Sequence, residues 1–219
     1  MVFNYSKDSE YHTQINNKII PASTCNTTSM IMALKQAGHK PIFAPKGVQP
    51  EDYFTNFLLL HPESQTRMKY RYNEYVKDKI PAYEVHEMLE WGINYLMTEV
   101  IDTFSVMVEM ETMLEQLSGG CGIVLSGLFP VRKELWGHIV SLAGFITIDG
   151  SKAPSFENIS HFIIDDPRGD FRTGYVDVRG NNIIITKEEF LEIFKYTEVD
   201  THKWAHIISP NVGNLTTDI

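Results

Sequence analysis

The strongest constraint on the fold is a change of hydrophobic pattern at residues 118–120, Ser-Gly-Gly. Before this point the apolar residues recur mainly at helical spacing. After it they form short apolar runs bounded by turn residues, which is typical of β-strands. Helices followed by strands, rather than alternating with them, indicate an α+β domain. We therefore predict an α+β fold in which a helical N-terminal half packs on a C-terminal antiparallel sheet.

The first elements of the chain are predicted to be an extended segment and a helix. Residues 1–22 are mostly polar and carry no helical period, and Pro21 lies at their end. A helix is predicted to begin at Ser23 or Thr24, since either side chain can cap it, and to end at Gly38.

The remaining elements are predicted from their local patterns. Residues 51–117 are predicted to be mostly helix, interrupted at Pro62 and Pro81. Strands are predicted within 121–129, 137–148, 161–167, 181–190 and 203–209, the fourth running into a short helix. The chain of 219 residues can bury a sizeable core. We predict one domain over 1–219, with a helical lobe at 1–117 and a sheet lobe at 118–219.

Charge and composition exclude several classes of protein. The net charge of −9 argues against nucleic acid or an anionic membrane surface as the main partner, because both need clustered Lys and Arg. No stretch approaches the roughly 18 apolar residues of a membrane span. The N-terminus lacks the basic and apolar regions of a signal peptide, so we expect synthesis in the cytoplasm with reduced thiols.

The candidates for chemistry are a cysteine, a histidine and an aspartate. Cys25 lies where a helix is predicted to begin, and unpaired N–H groups there favour a thiolate. His138 opens an apolar strand, and Asp166 ends another, so the carboxylate could orient the imidazole. Taken singly, a lone cysteine is more often core, a lone histidine a surface residue, and Asp-Asp-Pro a turn. The residues alone leave both interpretations open.

Other polar groups give no prediction of a metal or cofactor. The chain has neither a Cys-x-x-Cys nor a His-Glu-x-x-His motif. Glu84, His86 and Glu87 are close in sequence, and we interpret them as a solvated helix face. Cys121 lies inside an apolar strand, and we predict that it belongs to the core.

Several segments occur in the order found in one known family. They are "YHTQ" at 11–14, "TCNTTSMIMAL" at 24–34, "GGCGIVLSG" at 119–127, "GHIVSLAGF" at 137–145 and "DDPRGD" at 165–170. Together they resemble the papain-like cysteine peptidases related to the bacteriocin leader peptidases, the thirty-ninth cysteine peptidase family. The chain departs from the family pattern at Cys121, where proline is usual; that position is structural.

The resemblance implies a role for each of four residues. Cys25 would be the nucleophile and His138 the general base that forms a thiolate–imidazolium pair with it. Asp166 would orient His138; its neighbour Asp165 is the alternative, but the family's aspartate directly precedes the proline. Gln14 would donate its side-chain amide to the oxyanion, beside the backbone N–H of Cys25. The reaction would be amide-bond cleavage through a thioester, without a cofactor or metal.

The resemblance leaves the substrate open. The segment 165–190 is similar to the tail of phage-lysin members, in which a glycine-rich hairpin follows the aspartate, and these enzymes cleave peptidoglycan. Such an enzyme would be released at lysis or carried on a virion. The alternatives are an intracellular peptidase that processes a protein precursor, which the acidic charge favours, and a catalytically silent binding module on the same fold. Residues 39–117 are predicted to form one wall of the cleft and to govern specificity.

Overall fold

The computed structural model describes residues 1–67, 82–150, 154–195 and 201–211. The helices in these ranges are α1 (Cys25–Gln36), α2 (Pro50–Leu60), α3 (Pro62–Arg67), α4 (Ala82–Leu96), α5 (Met110–Ser118) and α6 (Lys187–Ile193). The strands are β1 (Val2–Asn4), β2 (Asp102–Glu109), β3 (Gly122–Val131), β4 (Glu134–Thr147), β5 (Ile159–Asp165), β6 (Ile183–Thr186) and β7 (His202–Ile208). None of the helices in the described ranges is long and apolar enough to cross a membrane.

The strands form one antiparallel sheet in the order β2-β7-β3-β4-β5-β6. β4 lies near the centre and is the longest strand, with 14 residues. It pairs along its first part with β3, and β1 pairs with residues 144–146 beyond the end of that pairing. The predicted α+β class is confirmed, and each strand predicted in the second half is present.

The prediction for the first half was wrong at one place. Residues 102–109, which belong to the stretch predicted to be mostly helix, form the edge strand β2, and helix α5 begins only at Met110. Residues 2–4, predicted to be extended, form the strand β1. A division at residue 118 therefore does not separate helices from strands. Residues 68–81 of the predicted helical stretch lie outside the described ranges.

Helices cover both faces of the sheet. On β3, Ile123 and Leu125 belong to a core cluster with α5 and α6, whereas Val124 belongs to a second cluster with α1, α2 and α4. The same division separates Ala205 from Ile208 on β7. Because successive side chains of a strand point to opposite faces, this alternation gives each layer of helices its own core.

Helix α1 approaches the sheet closely at Gly122, the first residue of β3. A Cβ atom at this position would lie 2.0 Å from the carbonyl oxygen of Ala33, which is far inside contact distance. Only glycine permits this separation. The position of α1 against the sheet therefore depends on the absence of a side chain at Gly122. The position of Cys25, at the N-terminus of α1, depends on it as well.

We expect Gly122→Ala to lower the free energy of unfolding by about 3 kcal/mol, the upper part of the range for overpacking, because α1 must move away from β3. Gly119→Ala is the matched control: its φ is −78°, and its Cβ would meet nothing nearer than 3.3 Å. We expect a change there of less than about 1 kcal/mol. Urea unfolding measures both. Equal stability of the two variants would contradict the close packing of α1 against β3.

Candidate active site

Cys25 is the first residue of α1 and follows Thr24 at the N-cap position. Of the two predicted caps, Thr24 occupies this position, but its side chain makes no capping hydrogen bond. Cys25 is half-buried, whereas Cys121 is buried, as predicted. Because the first N–H groups of a helix lack partners within it, the N-terminus of α1 favours a negative charge on sulfur.

The polar residues that follow Cys25 hold α1 in place. Asn17 Nδ2 donates to Thr24 Oγ1 at 2.8 Å and to Thr28 Oγ1 at 3.0 Å. Ser29 Oγ donates to the carbonyl oxygen of Ile139 on β4 at 2.9 Å. These side chains are buried, and their hydrogen bonds offset the cost of removing them from water. The Ser29 bond fixes α1 beside the residue that follows His138.

His138 lies between Cys25 and Asp166. Its Nε2 atom is 2.7 Å from Asp166 Oδ1, and its ring interacts with the Cys25 thiol closely enough to shift the pKa of both groups. Since Nε2 faces the carboxylate, Nδ1 is the nitrogen that remains for sulfur. Both His138 and Asp166 are almost completely buried. The three predicted groups are thus brought together from α1, β4 and the end of β5.

Electrostatics in this chain of groups favour the ion pair. Burial alone would raise the pKa of the Cys25 thiol, but the charge of His138 and hydrogen bonds from His138 and the Ile139 backbone outweigh it and lower the pKa. Burial alone would likewise lower the pKa of His138, but Asp166 and Cys25 together raise it to about 10. The two shifts act in the same direction, and both favour a thiolate on Cys25 beside an imidazolium on His138.

The Asp166 carboxylate is fixed from several directions. Its Oδ1 atom also accepts from the Arg168 backbone N–H at 2.8 Å. The Asp166 N–H donates to the carbonyl oxygen of Gly180 at 2.8 Å, and Tyr11 Oη donates to the Asp166 carbonyl oxygen at 3.0 Å. A Cβ on Gly180 would lie 1.9 Å from that same carbonyl oxygen, so the loop can approach this closely only with glycine.

Asp165, the alternative partner for His138, points elsewhere. Its carboxylate accepts from Ser6 Oγ at 2.6 Å and from the Asn182 N–H at 2.8 Å. It thus ties the N-terminal segment to the loop before β6. The two adjacent carboxylates separate as strand alternation requires, and only Asp166 contacts His138.

Gln14 lies in a short 3₁₀ turn and is almost completely buried. Its backbone N–H donates to the Pro167 carbonyl oxygen at 2.8 Å, directly after Asp166. Its side-chain Nε2 donates to the Pro21 carbonyl oxygen at 2.7 Å. One hydrogen of the amide is therefore engaged, which leaves the second for another acceptor.

Tyr175 is a neighbour of this site that sequence reasoning missed. Its ring meets the His138 ring edge-on, with centroids 5.8 Å apart, and its φ of +63° is unusual for a residue with a large side chain. Burial, and then the charge of Asp166, raise the pKa of its hydroxyl. The only local signal is Gly174 before it. It follows a 3₁₀ turn, Phe171–Thr173, inside the loop that connects β5 with its antiparallel partner β6 after Asp166.

A buried pair of histidines, His86 and His206, shows that the interpretation of His86 as part of a solvated helix face was wrong. His86 Nδ1 lies 2.9 Å from His206 Nε2, and His206 Nδ1 lies 2.9 Å from Asp102 Oδ2. Burial, followed by the charge of His206, lowers the pKa of His86 well below its ordinary value. Its ring stacks on Phe104 at 4.6 Å, so the pair is part of the packing between α4 and the sheet.

The model of the Peptidase_C39 like family matches residues 6–200. The match includes Gln14, Cys25, His138 and Asp166. The chain belongs to this family. A search of curated proteins finds no match. The predicted family is therefore confirmed, and at this general level the protein is of the cysteine peptidase type.

We expect Cys25 to be alkylated by iodoacetamide at a pH well below the free-thiol pKa of about 8.5, because His138 lowers the pKa of Cys25. His138→Ala and Asp166→Asn should both move the rate profile to higher pH. At pH 6 we expect a loss of about tenfold or more in rate, since less thiolate is present. Mass spectrometry identifies the labelled cysteine.

Asp165→Asn is the matched control for this experiment, since it removes an adjacent carboxylate that does not contact His138. Its alkylation profile should remain that of the wild type. A Cys25 that reacts as an ordinary thiol in the folded wild type would contradict the predicted ion pair, and an equal shift in both aspartate variants would contradict the assignment of Asp166.

Proposed function

We propose that the protein is a papain-like cysteine peptidase that cleaves amide bonds through an acyl-thioester on Cys25. The observation that carries the proposal is the buried contact of His138 with both the Cys25 thiol and Asp166 Oδ1. Membership of a peptidase family supports it. Members of such a family can lack activity, and for that reason the role of each residue is part of the proposal.

In the first half-reaction the Cys25 thiolate attacks the carbonyl carbon of the scissile amide. The Cys25 N–H and the free hydrogen of Gln14 Nε2 stabilise the resulting oxyanion. Collapse of this intermediate breaks the C–N bond, and the His138 imidazolium protonates the departing amine. The acyl group remains on sulfur as a thioester, and His138 is left neutral.

In the second half-reaction His138 takes a proton from water, which attacks the thioester carbonyl. The carboxylic acid leaves and the thiolate returns, with the proton again on His138. Asp166 keeps its charge throughout and holds the imidazole in one orientation. Tyr11, Arg168 and Gly180 fix Asp166 for this purpose.

Within this activity we propose the peptide bonds of peptidoglycan as the substrate. The resemblance of segment 165–190 to phage-lysin members supports this choice. Processing of a protein precursor is the alternative, and the net charge of −9 favours it.

Incubation of the full chain with purified peptidoglycan and with an unfolded protein mixture tests the proposal. Mass spectrometry should detect new amine and carboxyl ends in muropeptides with the wild type and none with Cys25→Ala. Cleavage of proteins but not peptidoglycan would establish the precursor alternative. If neither is cleaved and Cys25 reacts as an ordinary thiol, the remaining interpretation is a catalytically silent binding module on the same fold.

We expect Gln14→Ala to lower kcat by roughly 10²–10³ while leaving the alkylation of Cys25 by iodoacetamide unchanged, because oxyanion donors act on charge that develops only in the transition state. A peptide assay gives kcat, and alkylation reports whether the thiolate and the surrounding fold are intact. Equal losses in both measurements would show that Gln14 acts by holding the Pro21 segment.

A further inference from the structure

A cleft of about 410 Å³ opens beside Gln14. Pro21 and Ala22, just before the nucleophile helix, form one wall, and the turn between β3 and β4 and the loop after Asp166 form the others. The side chains that matter below are Arg132, Trp136, Arg168 and Tyr175. Since Gln14 lines the cleft, its floor adjoins the proposed oxyanion position.

The cleft lies on the leaving-group side of the proposed reaction. His138 must stand next to the departing nitrogen, because it donates the proton to it. The Tyr175 ring that lines the cleft is 5.8 Å from the His138 ring, and the Trp136 ring is 6.3 Å from that of Tyr175. A group bound in the cleft is therefore continuous with the amine that His138 protonates.

Arg168 presents a fixed positive charge in this cleft. Its guanidinium carbon lies 4.9 Å from the ring centroid of Trp136 and 4.9 Å from that of Tyr175. The two rings hold the planar group in place, so little side-chain freedom remains to be lost when a ligand binds. The Arg168 backbone N–H is anchored on the catalytic carboxylate, which fixes the other end of the residue.

Arg132 adds a second charge to the lining of the cleft. It lies in the β3–β4 turn with φ of +49°, and its Cγ and Nε atoms pass 3.1 Å from the Cβ position of Gly174. A larger residue than glycine at 174 would displace it. The absence of a side chain at Gly174 therefore leaves the space that Arg132 occupies beside the cleft.

Neither arginine of the cleft forms an ion pair with a carboxylate within the described ranges. Two other arginines of the same region do: Arg172 pairs with Asp170 at 3.0 Å and Arg179 with Asp177 at 2.7 Å. The protein as a whole carries a net charge of −9. The cleft thus carries two guanidinium groups without a carboxylate partner in the described part of the chain, and its positive charge is opposite in sign to the net charge of the protein.

We propose that this cleft binds a carboxylate on the leaving-group side of the substrate, held by Arg168 and Arg132. The guanidinium fork matches a carboxylate with two parallel hydrogen bonds, and the aromatic walls exclude water from them. The inference rests on the proposed peptidase function and adds the substrate class: peptides with an acidic residue or a free carboxyl group just beyond the scissile bond.

A pair of alkylating reagents tests the charge of the cleft without knowledge of the substrate. Iodoacetate and iodoacetamide react at the same sulfur and differ chiefly in one negative charge. We divide the rate of iodoacetate by the rate of iodoacetamide at Cys25. Because both rates are proportional to the amount of thiolate, this ratio does not depend on that amount. We expect the ratio to fall by about threefold or more in Arg168→Gln and further in the Arg132→Gln/Arg168→Gln double variant, because the local potential drops.

Lys133→Gln is the matched control, since Lys133 neighbours Arg132 and carries the same charge but does not line the cleft. Its ratio should equal that of the wild type. An equal ratio in the wild type and in the arginine variants would overturn the proposal. Thermal unfolding and the iodoacetamide rate establish that each variant is folded. If Cys25 reacts with neither reagent, the proposed peptidase function is refuted, and the inference that rests on it is refuted as well.

Product-like dipeptides then test the carboxylate itself. Ala-Asp amide and Ala-Asn amide differ in one charged group, and each can occupy the leaving-group side and slow the alkylation of Cys25. We expect the aspartyl peptide to protect at about tenfold lower concentration, the value of one charge-assisted hydrogen bond, and to lose this advantage in the double variant. Equal protection by the two peptides, or none by either, would refute carboxylate recognition.

Discussion

The close packing of helix α1 against strands β3 and β4 is the constraint on which the site depends. Cys25 and His138 are more than a hundred residues apart in sequence, and their contact exists only while α1 keeps its distance from the sheet. That distance is set by the glycine opposite Ala33 and by the hydrogen bond from Ser29 to the Ile139 carbonyl oxygen. The Ile139 backbone also helps to lower the pKa of the Cys25 thiol.

A buried imidazolium requires compensation, which the loop after β5 provides. An isolated buried charge is costly, and its burial is tolerated when it is paired and hydrogen-bonded. Asp166 pairs with His138, and its own charge is supported by the Arg168 N–H. The Tyr175 ring packs edge-on against the His138 ring, in a backbone conformation that costs free energy. Strain of this kind is found where a functional geometry has to be held.

The sequence predicts the parts of this arrangement that have a local signature. The strands of the second half and the N-terminus of α1 follow from hydrophobic runs and turn residues, and the order of the motifs predicts the family. β2 escaped prediction because its partner β7 lies about a hundred residues later, so that pairing between distant segments decides its conformation. Tyr175 was missed because Gly174 before it indicates only a turn, and nothing in the local pattern indicates the approach of its ring to His138.

Two almost completely buried histidine–aspartate pairs in the described ranges show why residue types alone did not decide the site. His138 and His206 each contact an aspartate at hydrogen-bond distance. His206 next contacts His86, whose pKa is lowered, so that pair ends on a neutral ring packed on Phe104. His138 next contacts a thiol at a helix N-terminus, where a negative charge is favoured and half-exposure admits a substrate. The group beyond the histidine, rather than the histidine and its carboxylate, thus separates a structural pair from a candidate catalytic one.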